Sequence, residues 1–256
     1  MSDVKEMTFL DHLEEFRGRL FKIMIGVLIT TIGSFFVSDY ITDFLLYPAK
    51  AIDNPLDLQV LTVQGMFMVK LEVSLITGII LAIPIIVYQL WQFISPGLYP
   101  HEKKYFPYVM ITTTSLMLIG ISFAYFLVIP LAITFLTKIG PDYVKFNVSI
   151  NAYFSFIIRL CLIFGFIFEM PLMSFILARF GILSSSFLKK YRRHAIVAIF
   201  MLAAIFTPPD IFTQILMAIP LTILYEISIF IVKRVEKKKS LHDSVGELQY
   251  YEDQES

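Results

Sequence analysis

The chain has 256 residues, 57% apolar and 16% charged, with 21 basic residues set against 21 acidic ones. Soluble domains average about 45–50% apolar and about 25% charged, so the composition argues against a water-soluble fold. A net charge of zero that averages over segregated charges says nothing about nucleic acid, and a lone cysteine, Cys161, excludes an intrachain disulfide framework.

No charged residue falls between Glu72 and Glu102 or between Lys104 and Lys138. Each stretch exceeds the roughly 20 apolar residues that carry a helix across a bilayer core. Apolar runs bounded by charges and turn residues predict six spans, at 20–37, 65–93, 105–129, 152–178, 194–206 and 211–232. All should be helical, because a backbone in hydrocarbon must satisfy its own hydrogen bonds and the alternation of a barrel strand is missing.

Taken in order, the N-terminal segment reads as an interfacial helix. Thr8 and Asp11 resemble a capping box, and Phe9, Leu13, Phe16 and Leu20 recur at helical spacing, with Glu15 off that stripe toward water. Asp3, Glu6, Asp11, Glu14 and Glu15 make this start a poor secretory signal, so the first span is expected to stay as an anchor. The segment 38–64 is too long for a turn and contains an amphipathic stretch, 40–52, interrupted at Pro48; it reads as a folded periplasmic cap. The second span would measure about 43 Å at 1.5 Å per residue, so it must tilt, project or bend, and Pro84 supplies a reason to bend. A short loop with Pro96 and Pro100 follows and carries Glu102.

The fourth span holds two charges. Glu169 in Phe168-Glu169-Met170-Pro171 lies near mid-membrane, where a charge costs about 2.5–3.5 kcal/mol on insertion scales. Pro171 cannot donate to the carbonyl of Ile167, which frees an acceptor beside the carboxyl group. Glu169 can be read as a proton-binding group, as an anchor for a partner helix, or as a protonated acid satisfied within its own bundle. Arg159 is expected to snorkel to the outer interface. The fifth span is only about 20 Å long against a core near 30 Å, which thins the membrane or leaves a lipid-facing recess. If the last two spans turn near Pro208 and Pro209, Glu226 lies opposite residues 191–192, and an ion pair with Arg192 follows. The tail 240–256, basic before it and acidic at its end, is expected to be disordered, and residues 1–239 read as one membrane domain.

With the N-terminus in the cytoplasm, most of the basic residues fall on the inner side, so both termini are expected to be cytoplasmic. Enzyme signatures are missing. His101 and Glu102 begin an HExxH-like string, but Tyr105 stands where the second histidine belongs, and no nucleophile elbow, phosphate loop or paired cysteines appear. His12, His101, His194 and His242 are dispersed and support no metal site, and no cofactor is implied.

Seven local strings then combine in order. They are Asp11-His12-Leu13-Glu14-Glu15-Phe16-Arg17, Tyr88-Gln89-Leu90-Trp91-Gln92-Phe93-Ile94, Leu98-Tyr99-Pro100-His101-Glu102-Lys103-Lys104, Phe123-Ala124-Tyr125-Phe126, Phe168-Glu169-Met170-Pro171, Thr207-Pro208-Pro209-Asp210 and Ala218-Ile219-Pro220. From Phe9 to Lys233 the sequence resembles the TatC family, the multi-spanning core of the twin-arginine protein translocase. The resemblance implies a receptor in the bacterial inner membrane that docks twin-arginine signal peptides at its cytoplasmic face, with export of folded proteins powered by the proton-motive force. Guanidinium forks prefer carboxylate acceptors, and consecutive side chains of an extended peptide point opposite ways, so acceptors from separate segments are needed. Glu15 and Glu102 meet that requirement, with Arg17, Phe93, Leu98, Tyr99 and Lys104 around them. The resemblance further implies that Glu169, Thr207 and Gln214 line a recess for single-span TatA-like and TatB-like partners, that Pro48 and Asp210 are sensitive cap positions, and that the receptor forms homo-oligomers. The alternative from another class is a proton-coupled small-molecule transporter using Glu169. It should show related halves or paired broken helices, and neither is visible.

Overall fold

The computed structural model describes residues 9–50, 52, 56–94, 106–138, 147–206 and 210–255. The elements are α1 (Phe9–Phe36), α2 (Ser38–Lys50), β1 (Asp57–Gln59), α3 (Gly65–Ile94), α4 (Phe106–Phe123), α5 (Ile129–Lys138), β2 (Asn147–Ser149), α6 (Ile150–Phe168), α7 (Met170–Arg179), α8 (Ser185–Lys190), α9 (Arg192–Phe206) and α10 (Ile211–Glu255). Among the described residues, five helical stretches, Leu10–Phe36, Gly65–Phe93, Pro107–Lys138, Ile150–Arg179 and Ile211–Lys238, are long and apolar enough to cross a membrane. The short α9, at 15 residues, falls below that length, as the sequence leads one to expect of the fifth span. Along α1, Phe21, Met24, Ile25, Leu28, Ile29 and Ile32 are all exposed. In water that surface would be strongly destabilising; facing lipid it is what a multi-pass membrane protein presents.

The contacts divide the chain into two compact units, one of Met1–Ser115 with Thr137–Ile158 and one of Leu116–Leu136 with Arg159–Ser256. The first is organised by α1 lying against α3. His12 and Phe16 meet Phe93, Gly26 meets Ile85, and Thr31 meets Gly78, so the two helices run antiparallel. Gly78 permits the closest approach. A Cβ built there would lie 2.3 Å from Thr31 Oγ1 and 2.5 Å from Thr31 Cα, so only hydrogen fits. The Thr30 hydroxyl uses this proximity and donates to the Gly78 carbonyl at 2.8 Å. Pro84 is accommodated inside α3 without ending it.

The interfacial helix expected at the N-terminus is not a separate element, because α1 runs unbroken from Phe9 through the predicted span. No proline interrupts it, and a helix already nucleated extends at little cost. Between α1 and α3, Pro48 is buried in the last turn of α2, and the Tyr153 hydroxyl donates to the Leu45 carbonyl in the same turn at 2.9 Å. β1 and β2 pair in parallel, Asp57 with Asn147 through Gln59 with Ser149. In these connections an extended backbone outside the helices is satisfied by strand pairing.

In the second unit, α4 passes through a wide π turn, Ala124–Val128, into α5, with the Ile129 N–H donating to the Ala124 carbonyl. Phe123 packs on Phe164 and Phe168 at ring distances of 5.6 and 5.5 Å. Gly120 admits the Phe164 carbonyl, which a Cβ would approach to 2.5 Å. Cys161 is buried and unbonded, as a small hydrophobe in an apolar run should be. Ala178, Val232 and Val235 form a small core with Leu183 and Leu188 beside it. The Glu236 carboxylate accepts the Ser185 N–H at 2.9 Å and also the Ser185 hydroxyl, tying the start of α8 to α10. Arg192 Nε lies 2.6 Å from Glu226 Oε1, the ion pair expected from a hairpin of the last two spans. The backbone of α10 continues through residues 240–255. They include Leu, Glu and Gln and contain no proline, so nothing in the sequence halts a helix already under way.

Candidate functional site

The sequence places its acceptor pair at Glu15 and Glu102. Glu15 stands two turns into α1, and its setting departs from the water-facing position the apolar stripe predicts. Its side chain is 19% exposed, whereas Glu14 is 78% exposed and paired outward with Arg17 at 3.6 Å. Arg19 and His12 of the same helix lie against Glu15, and the end of α3 meets α1 alongside. The His12 ring stacks on Phe93, with centroids 4.3 Å apart and planes 16° from parallel, and Phe16 tilts against the same ring at 5.2 Å. Thus Glu15 and Phe93 share one small patch, while Arg17 lies on its water side. Leu98, Tyr99, Glu102 and Lys104 lie outside the described residues.

Two residues that the sequence reading passed over complete the patch. Arg19 Nε donates to Glu15 Oε1 at 2.9 Å, and Arg19 Nη2 donates to the same oxygen. His12 Nδ1 lies 3.9 Å from Glu15 Oε2. Their spacing was the available signal, since acid and base four residues apart, with the acid first, pair along a helix, and positions three apart share a face. A half-buried carboxylate held at a helix end beside aromatic rings is suited to accepting a planar cation that donates several hydrogen bonds.

The second candidate region is built around the junction of α6 and α7. Glu169 occupies the break itself, with φ −74° and ψ −16°, and Pro171 lies in the first turn of α7. The Glu169 N–H donates to the Phe166 carbonyl at 3.1 Å, a tighter closure than the four-residue ladder, and its carbonyl accepts the Met173 N–H at 2.9 Å. A proline early in α7 therefore ends one helix and starts the next, leaving Glu169 half-buried at the joint.

At the start of α10, Asp210 is a helix cap. Its Oδ1 accepts the Thr213 N–H at 2.7 Å and its Oδ2 accepts the Thr213 hydroxyl. This satisfies one of the unpaired donors that begin every helix. Gln214 donates from Nε2 to the Phe200 carbonyl at 3.0 Å, linking α10 to α9. Thr207 lies outside the described residues. Among the described residues no group of three or more His, Cys, Asp or Glu is placed to hold a metal.

A family model described as "TatC: Sec-independent protein translocase protein (TatC)" matches residues 11–220. The chain is 40% identical over 236 residues to the Sec-independent protein translocase protein TatC of Carboxydothermus hydrogenoformans, covering 92% of this chain and 96% of that one. To the protein of the same name from Aquifex aeolicus it is 37% identical over 235 residues, covering 91% and 98%. Its fold is similar to a crystal structure of the twin arginine translocase receptor TatC, with a TM-score of 0.79 and 37% identity over 88% of this chain and 99% of that one.

Proposed function

The chain belongs to the TatC family of Sec-independent protein translocase proteins, membrane-transport components and not enzymes, and from that premise we propose that it is the receptor core of a twin-arginine translocase. The observation that carries this reading is the half-buried Glu15 carboxylate, fixed on α1 beside Phe93. One arginine of an extended signal peptide would bond Glu15. Its neighbour, pointing the other way, would bond Glu102 in the loop after α3, with Arg17, Leu98, Tyr99 and Lys104 bordering the peptide.

In this reading α9 is the short fifth of six spans, both termini are cytoplasmic, and residues 1–239 act as one membrane domain in the bacterial inner membrane. Pro48 and Asp210 shape the outer side. The joint at Glu169, with Thr207 and Gln214, receives single-span TatA-like and TatB-like partners, and the assembled homo-oligomeric receptor exports folded proteins using the proton-motive force. A carboxyl group at a helix break can hydrogen-bond a polar side chain of a neighbouring helix, which in a membrane contributes about 1 kcal/mol. Glu169→Ala is therefore expected to reduce copurification of a single-span partner severalfold, and undiminished copurification would remove the anchor role. The small-molecule transporter is not favoured, since the family matched is a protein translocase.

The direct test is export of a folded reporter in cells lacking the native component. Complementation by this chain should support export with a twin-arginine signal and lose most of it with twin lysine. Equal export with both signals would defeat the receptor reading.

A further inference from the structure

We propose that the end of the second unit where α7, α8, α9 and α10 meet is a binding surface for anionic phospholipid headgroups. Gly181, at φ 76°, ends α7; its N–H donates to the Ala178 carbonyl and the Ile182 N–H to that of Leu177. The chain then returns through α8, which is fastened to α10 twice. The Glu236 carboxylate accepts the Ser185 N–H and hydroxyl, and the Tyr225 hydroxyl donates to the Leu188 carbonyl at 2.7 Å. Ala178 packs with Val232 and Val235, so the turn after α7 stands level with that part of α10. Arg192 opens α9 and holds Glu226.

Both acids of this region are thereby engaged, Glu226 by Arg192 and Glu236 by Ser185. Lys189, Lys190, Arg193, Lys233 and Arg234 remain exposed, and none of the five has a hydrogen bond or ion pair among the described residues. Like charges gathered at one end of a unit repel one another, and an anionic surface relieves that repulsion. The same elements leave apolar side chains uncovered. Ile182 is 72% exposed and Phe187 52%, and the Phe187 ring lies 4.6 Å from that of Tyr191. Lys190 Nζ stands 5.8 Å from the Tyr191 ring, and the Arg234 guanidinium 4.5 Å from the Phe230 ring. Bases interleaved with uncovered aromatics at the end of apolar spans match the two parts of a lipid headgroup region, phosphate for the bases and the acyl boundary for the rings. A soluble acidic partner would neutralise the charges but leave Ile182 and Phe187 without apolar cover, which favours the lipid.

The test uses the full chain in neutral detergent and a fluorescent phosphatidylglycerol, with binding read as anisotropy above that of protein-free micelles. Unlabelled phosphatidylglycerol should displace the probe and phosphatidylcholine should not, and raised salt should weaken binding. A base near an anionic lipid surface is worth about fivefold in affinity. Lys189→Gln combined with Lys190→Gln should therefore weaken binding about tenfold or more, and Lys233→Gln combined with Arg234→Gln should do the same. Either pair decides the matter if the other fails to fold. Lys50→Gln, which removes an exposed base at the end of α2, should bind like wild type. Phe187→Ala should cost severalfold, an effect that charge alone does not produce. Equal displacement by the two lipids, or unchanged binding in both double variants, overturns the proposal. Displacement by inorganic phosphate or polyglutamate as effective as that by phosphatidylglycerol also overturns it, since the surface would then be a simple anion patch or face a protein. None of these residues belongs to the Glu15 patch, so signal-peptide docking stands or falls separately.

Discussion

Glu15→Ala is expected to lower affinity for a twin-arginine peptide by about ten- to a hundredfold while the chain still inserts and folds. Hydrogen bonds to a charged group contribute about 1.5–3 kcal/mol, and each 1.4 kcal/mol is a tenfold change. The cost to the fold is far smaller, because Glu15 pairs within its own helix with Arg19 and such pairs contribute under about 1 kcal/mol. Glu14→Ala is the matched control. It removes a carboxylate from the adjacent position, but one that is exposed and turned away from the Phe93 patch, and peptide binding should persist. Photocrosslinking to a labelled peptide, with thermal melting in parallel, checks both. Equal crosslinking by the Glu15 and Glu14 variants would leave the docking mechanism without its central contact.

The second large effect concerns the fold. Gly78→Val is expected to destabilise the first unit by about 3 kcal/mol or more, at the upper end of overpacking costs, because the obstruction is backbone and cannot rotate away. Any Cβ at this position meets Thr31 N at 2.6 Å as well as Thr31 Cα and Oγ1. Relief requires α1 and α3 to separate, which also breaks the bond from Thr30 to the Gly78 carbonyl and spreads His12 from Phe93. Gly33→Ala is the contrast. Nothing lies within 4 Å of a Cβ there, so alanine should be neutral or stabilising by roughly 0.5–1 kcal/mol through its better helix propensity. Melting temperatures in detergent read both substitutions, and a Gly78→Val protein that melts with the wild type would refute the tight crossing.

Much of this arrangement was legible in the sequence because membrane helices must be apolar over a fixed length. The gaps between Glu72 and Glu102 and between Lys104 and Lys138 located α3 and the α4 to α5 stretch directly. The Glu226 and Arg192 pair was legible for a related reason: a tight hairpin fixes the register of its two helices. The break at Glu169 was signalled by Pro171, although the joint falls at Glu169 itself. What could not be read was tertiary or very local. An apolar stripe assigns Glu15 to water, and it carries no sign that Phe93, from a helix some eighty residues onward, stacks on His12 and meets Phe16 on either side of it in sequence. β1 and β2 have three residues each, too few for any periodicity to register, and their partners lie far apart in the chain. The boundary between an interfacial helix and a span was sought at residue 20, where the side chains change character but the backbone does not.

The length of α10 carries a mechanical corollary. From the Asp210 cap to Glu255 it is a single rod of 45 residues with Pro220 near its start, and about 50 Å of it lies beyond that proline at 1.5 Å per residue. Prolines are where helices flex. A pivot of about 10° at Pro220 would sweep the far tip through roughly 9 Å, so a small rearrangement near Gln214 becomes a displacement large enough to make or break a contact at the other end.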